Sequence, residues 1–375
     1  MRGKAARCRI SQASTSNLLA LASSGVPFTL LNSFTLSVFE PNFPLSVGNE
    51  TLSKPTFEDT TLPPACHKQS LAQNSSNPWA SLTRRQWLLQ ASALFPILLA
   101  RTTLLQNSTA APNPTEALAA IETHLGGRVG VATLDTGNGQ HFEHRASERF
   151  PMCSTFKFLL VAAILARVDH HEEKLDRPIP YTKDDLLEWA PITKDHVAEG
   201  SMTVSGLCAA ALQYSDNTAA NLLLAAIGGP PAFTQYARTL GDSLTRLDRN
   251  EPSLNSAIPG DPRDTTTPSA MLSDMKKLLV DPGALFPDSQ KLLQDWLIGN
   301  TTGTQSLRAG FPSAWRVGDK TGHGRNGSIN DVAISWPPNR RPILVAAYLV
   351  ESAASESDHY AALANIGRIV ASNFS

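Results

Sequence analysis

The order of apolar and polar positions predicts strands near both ends of residues 111–375 and helices between them. Segments with helical length and apolar character lie at 114–125, 156–168, 204–212 and 359–373. Strand-like segments lie at 127–135, 140–144, 315–319, 327–336 and 341–350. Strands from both ends with helices between them predict an α+β fold, in which an antiparallel sheet is flanked by helices and an all-α domain is inserted.

The first 110 residues show no such pattern. Residues 1–80 are rich in Ser, Thr, Asn and Pro, which indicates either a disordered extension or a mis-assigned upstream start of the reading frame. Within 81–110, Arg84 and Arg85 precede an uncharged apolar run at 87–100 that is short for a bilayer span. This arrangement is typical of a twin-arginine signal peptide, and the basic start of a buried helix is the alternative.

The third predicted unit, residues 111–375, is long enough to bury a large core. Its α/β part comprises 111–153 and 297–375, and its helical part comprises 154–296. The whole chain has a net charge of −1, which gives no support for a nucleic-acid partner or a polybasic membrane contact.

The four cysteines, at positions 8, 66, 153 and 208, lack C-x-x-C spacing, so neither a zinc site nor a redox pair is predicted. Cys153 and Cys208 are predicted to be small buried thiols. We expect no metal and no cofactor.

Ser154 and Lys157 lie three residues apart at the start of the apolar run 156–168. Residues at this spacing share one face of a helix, so the lysine amine can lie beside the serine hydroxyl and take its proton. Taken alone, the pair indicates a helix cap and a solvated lysine. Lys157 is flanked by Phe156 and Phe158, however, where an unpaired charge is unfavourable, so partners for it are expected.

Two further motifs follow in order, Ser215–Asn217 after a predicted helix and Lys320–Gly322 at the end of a predicted strand. Each tripeptide alone would indicate a loop, a cap or a turn. Together with the serine–lysine pair, and in this order, they form a specific set. From about Asn113 to the C-terminus the sequence resembles a class A serine β-lactamase.

The resemblance implies a catalytic group of four side chains, which are Ser154, Lys157, Ser215 and Glu251. Ser154 would be the acylated nucleophile, and its N–H and that of His323 would form an oxyanion hole. Ser215 would relay a proton to the leaving ring nitrogen. The resemblance leaves open whether Lys157 or Glu251 is the base in acylation.

The resemblance also implies a set of substrate contacts. Asn217 would hold the amide carbonyl of the substrate side chain, and Lys320 and Thr321 would face its carboxylate. Gly322 would let a flat ligand lie against its strand. Trp189 matches an aromatic residue at the rim of the cleft, and a core tryptophan is the equally weighted alternative.

Glu251 and Asn255 distinguish a hydrolase from its nearest rivals. A carboxylate and an amide four residues apart can hold one water between them and activate it against an acyl-enzyme ester. Arg249 and Asp264 match the ion pair that ties this loop together in the family.

One departure from the family concerns the substrate carboxylate. Relatives usually supply an arginine for it from one of three positions, and these read Ser306, Ile329 and Tyr360 here. We expect neither Arg325 nor Arg308 to replace that arginine.

These features predict an exported enzyme, periplasmic or secreted, that hydrolyses penicillins or cephalosporins and so gives antibiotic resistance. Its partners would be a small β-lactam substrate and the export machinery, with no nucleic acid, and it would be a monomer. A penicillin-binding D,D-peptidase and a β-lactam-sensing domain are the alternatives, and both would lack the Glu251–Asn255 pair.

Overall fold

The computed structural model describes residues 113–375. The predictions for the extension at 1–80 and for the signal peptide at 81–110 lie outside these residues. Within the part described, no helix is both long and apolar enough to cross a membrane.

The strands in chain order are β1 Arg128–Asp135, β2 Glu143–His144, β3 Phe150–Pro151, β4 Pro178–Pro180, β5 Ser201–Thr203, β6 Thr265–Thr266, β7 Arg316–His323, β8 Ile329–Trp336 and β9 Ile343–Val350. The α-helices are α1 Pro114–Leu125, α2 Phe156–Asp169, α3 Thr193–His196, α4 Val204–Gln213, α5 Asn217–Ile227, α6 Gly229–Thr239, α7 Pro268–Leu279, α8 Pro287–Ile298, α9 Leu307–Gly310 and α10 Glu356–Asn373. Single 3₁₀ turns lie at Cys153–Thr155, Lys183–Asp185, Val197–Glu199 and Ser253–Ser256.

The main sheet has the strand order β2-β1-β9-β8-β7 with antiparallel neighbours throughout. Strand β9 lies at its centre, and all eight of its residues are buried. Val345 and Leu349 face the core formed with α1 and α10, whereas Leu344 and Tyr348 face the core formed with the helical region. A sheet covered on both faces needs such a continuous apolar strand. The α+β fold is confirmed.

Helix α2 is the centre of the helical region. All of its residues from Phe156 to Leu165 are buried, and it packs against α4, α5, α6 and α8. A helix that is apolar on all sides is stable only when it is surrounded in this way. The N-terminus of α2 is therefore held firmly by this packing, and Ser154 lies two residues before Phe156, its first residue.

Three predicted strands begin one or two residues before the observed ones, and two further strand predictions differ from the structure by more than two residues at one end. The predicted strand at 140–144 is reduced to Glu143–His144. Gln140 O and Phe142 O still accept from β1, but Phe142 N donates to the Thr133 hydroxyl instead of a backbone carbonyl, so the ladder is incomplete there. The strand predicted at 315–319 continues to His323, because its ladder with β8 runs as far as the pair His323 and Ile329. Lys320–Gly322 therefore lies inside a strand and not at its end.

Both described cysteines, Cys153 and Cys208, are buried free thiols, as predicted. Burial raises the pKa of the Cys153 thiol to about 12, so the thiol stays protonated beside the nucleophile.

Candidate active site

The turn that carries Ser154 lies between β3 and α2. Cys153 has a left-handed backbone with φ 45°, a conformation that is unfavourable for a residue with a Cβ and that is often found at functional sites. Ser154 is 7% exposed, and its Oγ accepts a hydrogen bond from Lys157 Nζ at 3.0 Å. The serine and the lysine therefore meet, as their spacing predicts.

Lys157 is fully buried and has several polar partners. Its Nζ donates to Ser215 O at 2.9 Å and to Asn217 Oδ1 at 2.6 Å, and lies 3.0 Å from Glu251 Oε1. Burial lowers the pKa of the Lys157 ammonium, and the Glu251 carboxylate opposes that shift. The expectation that this lysine has partners is confirmed.

Ser215 connects the two buried lysines. Its backbone is left-handed with φ 56°, and its Oγ lies 3.0 Å from Lys320 Nζ and 3.4 Å from Lys157 Nζ. The next residue, Asp216, caps helix α5 by accepting from Ala219 N at 2.9 Å. The tripeptide is thus a helix cap as well as part of the site, so the two interpretations of it are compatible.

Lys320 reaches the site from β7. The side chain is fully buried, and its Nζ donates to Thr321 O at 2.8 Å. Burial lowers the pKa of Lys320 to about 7, and the neighbouring Lys157 charge acts in the same direction. A bound carboxylate would favour the charged form of Lys320. The Thr321 hydroxyl lies 2.5 Å from that of Thr302.

Glu251 is buried next to the nucleophile Ser154. Ser154 Oγ donates to its Oε1 at 3.3 Å, and Asn255 Nδ2 donates to its Oε2 at 2.5 Å. Asn255 Oδ1 is buried and has no hydrogen-bond partner among the described residues. A water donating to both this oxygen and the Glu251 carboxylate would satisfy the amide.

The loop that carries Glu251 is tied down at two points. Arg249 Nε donates to Asp264 Oδ2 at 2.5 Å, which is the ion pair that the resemblance implies. Asn221 on α5 donates to Glu251 O and accepts from Glu251 N, both at 3.0 Å. These two hydrogen bonds from the Asn221 side chain fix the backbone of Glu251, from which its carboxylate extends.

Gly322 allows β7 to approach the nucleophile turn. A Cβ at this position would lie 2.9 Å from Met152 O and 3.2 Å from Ser154 N, closer than real Cβ atoms sit. The glycine therefore allows β7 to pack on the Ser154 turn, and its role in leaving space for a flat ligand stays a prediction. It also lines the cleft.

The cleft above these groups has a volume of about 520 Å³. Its lining contains the predicted residues Ser154, Trp189, Ser215, Asn217, Asn255, Thr321, Gly322 and His323 and, in addition, Thr302, Ile329, Glu356 and Tyr360. Lys157, Lys320 and Glu251 are buried beneath it. The predicted residues thus converge on one cavity.

Trp189 is 56% exposed and lies at the rim, so the core-tryptophan alternative is wrong. Its indole N–H donates to Tyr214 O at 3.2 Å, which fixes the ring beside Ser215.

The three positions without the family's arginine differ in surroundings. Ser306 is buried, whereas Ile329 and Tyr360 line the cleft. Arg308 pairs with the buried Asp319 and is therefore structural, and Arg325 is exposed and does not line the cleft.

Two supporting residues were missed in the sequence analysis. Asn221 holds Glu251, and Asn330 Nδ2 donates to Pro151 O at 2.9 Å and to Met152 O at 3.2 Å, which ties β8 to the nucleophile turn. Asn330 follows an isoleucine in an apolar strand, and a polar residue there was the signal that could have identified it.

Comparisons with known proteins agree with this geometry. The Beta-lactamase enzyme family matches residues 113–374. Beta-lactamase OXY-1 of Klebsiella oxytoca is 44% identical over 286 residues, which cover 76% of this chain and 97% of that protein. The chain belongs to the class A β-lactamase family.

Other relatives of this class A β-lactamase extend the comparison. The carbapenem-hydrolyzing beta-lactamase KPC of Klebsiella oxytoca is 47% identical over 269 residues, covering 72% of this chain and 89% of that protein. The solved structure of an ancestral (GNCA) class A beta-lactamase is 55% identical with a TM-score of 0.69, covering 70% of this chain and 100% of the other.

Proposed function

We propose that this class A β-lactamase, an enzyme that hydrolyses β-lactams and so gives antibiotic resistance, opens the β-lactam amide of penicillins and cephalosporins through an ester on Ser154. The observation that carries the proposal is the position of Ser154 Oγ, 3.0 Å from Lys157 Nζ and 3.3 Å from Glu251 Oε1. A hydroxyl that donates to a buried carboxylate and lies beside a lysine whose pKa is lowered by burial is placed for activation as a nucleophile.

In acylation, Ser154 Oγ bonds to the β-lactam carbonyl carbon as its proton passes to Lys157 or Glu251. Both groups are within reach, so the geometry supports either base. The carbon–nitrogen bond then breaks, and the ring nitrogen takes a proton from Ser215 Oγ. Lys157, 3.4 Å away, replaces the proton of that hydroxyl, and where Glu251 was the base it passes its proton on to Lys157, 3.0 Å away, and is a carboxylate again.

The negative charge on the carbonyl oxygen would be stabilised by the N–H groups of Ser154 and His323. Such donors are commonly worth about 3 kcal/mol each in the transition state. The approach of β7 to Ser154 N, which Gly322 permits, supports this arrangement.

In deacylation, a water held between Glu251 and Asn255 attacks the ester carbon. Glu251 takes a proton from that water, the ester bond to Ser154 Oγ breaks, and Glu251 returns this proton to Oγ, 3.3 Å from its Oε1. The hydrogen bond of 2.5 Å between Asn255 Nδ2 and Glu251 Oε2 supports this role, because it fixes the orientation of the carboxylate. A D,D-peptidase or sensing domain would have no use for this pair.

The direct test of this function is a time course with a chromogenic cephalosporin. Steady turnover over many equivalents supports hydrolysis. A burst of one equivalent followed by a stall would favour the peptidase or the sensing domain.

We also propose that Lys320, Thr321 and Ser215 hold the substrate carboxylate without an arginine. Arg325→Ala should change kcat/KM by no more than about fivefold, equivalent to ~1 kcal/mol, because an exposed ion pair contributes little. Lys320→Ala should cost far more, about 2–5 kcal/mol, because it leaves a desolvated carboxylate without its partner.

Steady-state kinetics on a penicillin and a cephalosporin measure both variants. A hundredfold loss in Arg325→Ala on every substrate alike would identify that residue as the missing clamp and contradict this assignment.

Export and oligomeric state are further parts of the proposal. Arg84 and Arg85 before an apolar run support a twin-arginine signal, with the enzyme active as a monomer in the periplasm or outside the cell. Lysine at both positions should leave uncleaved enzyme in the cytoplasm, as cell fractionation and immunoblotting would show. Normal processing of that double variant would argue against this signal.

A further inference from the structure

Glu356 lies on the wall of the active-site cleft, and nothing in the catalytic cycle above uses it. It is the first residue of α10, and it lines the cavity together with Thr321, Ile329 and Tyr360. Among the described residues that form the lining, it is the one carboxylate. The cleft therefore carries a negative charge at its rim, on the side where Thr321 faces the substrate.

The surroundings of Glu356 keep this charge in place. The residue lies in the first turn of α10, where the helix dipole attracts negative charge. Tyr360 lies one helical turn further along α10 and also lines the cavity, and His323 Nδ1 lies 3.7 Å from Glu356 Oε1. The carboxylate therefore lies at the rim of the cleft beside these two residues.

Beneath the cleft, where the substrate carboxylate would bind, the charge is positive, opposite in sign to that of Glu356. Lys320 is buried next to Thr321, and no arginine lines the described cavity to extend that positive region outward. A ligand thus meets a cation at the base of this end of the cleft and an anion at its rim. Such a field favours a zwitterion with its negative group inward and its positive group outward.

In cephalosporins, the C3 substituent lies where this outward positive group would be placed. The ring carbon that bears the carboxylate is bonded to the carbon that carries the C3 substituent, so the two groups lie side by side. With the carboxylate on Lys320 and Thr321, the C3 substituent faces the rim formed by Glu356, Tyr360 and His323.

We propose that Glu356 is a specificity-determining residue that favours cephalosporins with a positively charged C3 substituent over those with a neutral one. The assignment rests on the proposed function, because it assumes that the carboxylate is held by Lys320. The His323 imidazole lies near this carboxylate, whereas the part of His323 assigned to the reaction is its backbone N–H.

The expected effect is modest, because the Glu356 side chain is 61% exposed and its field is screened by water and salt. A two- to fivefold change in substrate preference corresponds to the interaction of an exposed charge pair. The change should shrink as ionic strength rises.

The test compares two cephalosporins with the same acyl side chain, one with a quaternary ammonium or pyridinium group at C3 and one with a neutral acetoxymethyl group. The quantity measured is the kcat/KM of the positively charged compound divided by that of the neutral compound. Glu356→Gln keeps the hydrogen-bonding capacity and removes the charge, and Glu356→Lys reverses it. Asp358→Asn is the matched control, since it removes a charge from the same helix at a residue that does not line the cleft.

We expect Glu356→Gln to lower the ratio two- to fivefold, Glu356→Lys to lower it further, and Asp358→Asn to leave it unchanged. At 0.5 M salt the difference between wild type and Glu356→Gln should fall below twofold, since the Debye length is then only about 4 Å. An unchanged ratio in Glu356→Gln, or an equal shift in Asp358→Asn, would overturn the assignment and leave the proposed function intact. If the unaltered enzyme hydrolysed neither compound, the proposed function itself would fail, and this assignment with it.

Discussion

Ser154→Ala should abolish hydrolysis of every β-lactam, with a loss in kcat of at least about 10⁴-fold, equivalent to about 5.5 kcal/mol. The reason is that no other hydroxyl takes its position. Ser215 Oγ lies against Lys320 on the far side of Lys157, and Thr155 Oγ1 is directed at Met152 O. The measurement is steady-state turnover of a chromogenic cephalosporin.

Ser253→Ala is the matched control for this variant, because Ser253 is an exposed serine in the Glu251 loop. It should retain turnover close to that of the unaltered enzyme. Thermal unfolding of Ser154→Ala should remain cooperative, since Ser154 is small and its removal leaves the packed α2 intact. Folded Ser154→Ala enzyme with more than a trace of turnover would contradict covalent catalysis by this residue.

Glu251→Ala should still form the ester but hydrolyse it about 10²–10⁴-fold more slowly, the usual contribution of a general base. Acylation survives because Lys157 Nζ remains 3.0 Å from Ser154 Oγ. Glu251 opposes the lowering of the Lys157 pKa by burial, so its removal lowers that pKa further and leaves more neutral amine to act as base.

Pre-steady-state kinetics on Glu251→Ala should show a burst of one equivalent followed by very slow turnover. Glu188→Ala, which removes an exposed carboxylate next to Trp189, is the control and should show no burst. If Glu251→Ala showed no burst, with a first turnover as slow as the later ones, Glu251 would be needed for acylation. Lys157 would then not suffice as the base.

The parts of the site set by local geometry were predictable from the sequence. Ser154 and Lys157 meet because three residues make nearly one helical turn, and the sheet follows from strand patterns at both ends of the domain. The burial of α2 follows from the segment 158–166, which is apolar and carries no charge. These are short-range properties, and the sequence states them directly.

The parts set by long-range packing were not predictable from patterns alone. Lys157 is joined to Ser215 and Glu251 by the packing of α5 and of the Glu251 loop, and only the family resemblance indicated those partners. Asn221 and Asn330 bond to backbone atoms far away in sequence, and a single asparagine in a helix or strand does not reveal its partner. The roles assigned to the site residues and the signal at Arg84 and Arg85 stay predictions.

An ester on Ser154 that Glu251 is needed to hydrolyse should be detectable by mass spectrometry of Glu251→Ala after incubation with a penicillin. We expect a persistent adduct equal to the full mass of the penicillin, because ring opening releases no fragment, and peptide mapping should locate it on Ser154. An adduct on another residue, no adduct, or one that clears as fast as in the unaltered enzyme would contradict this mechanism.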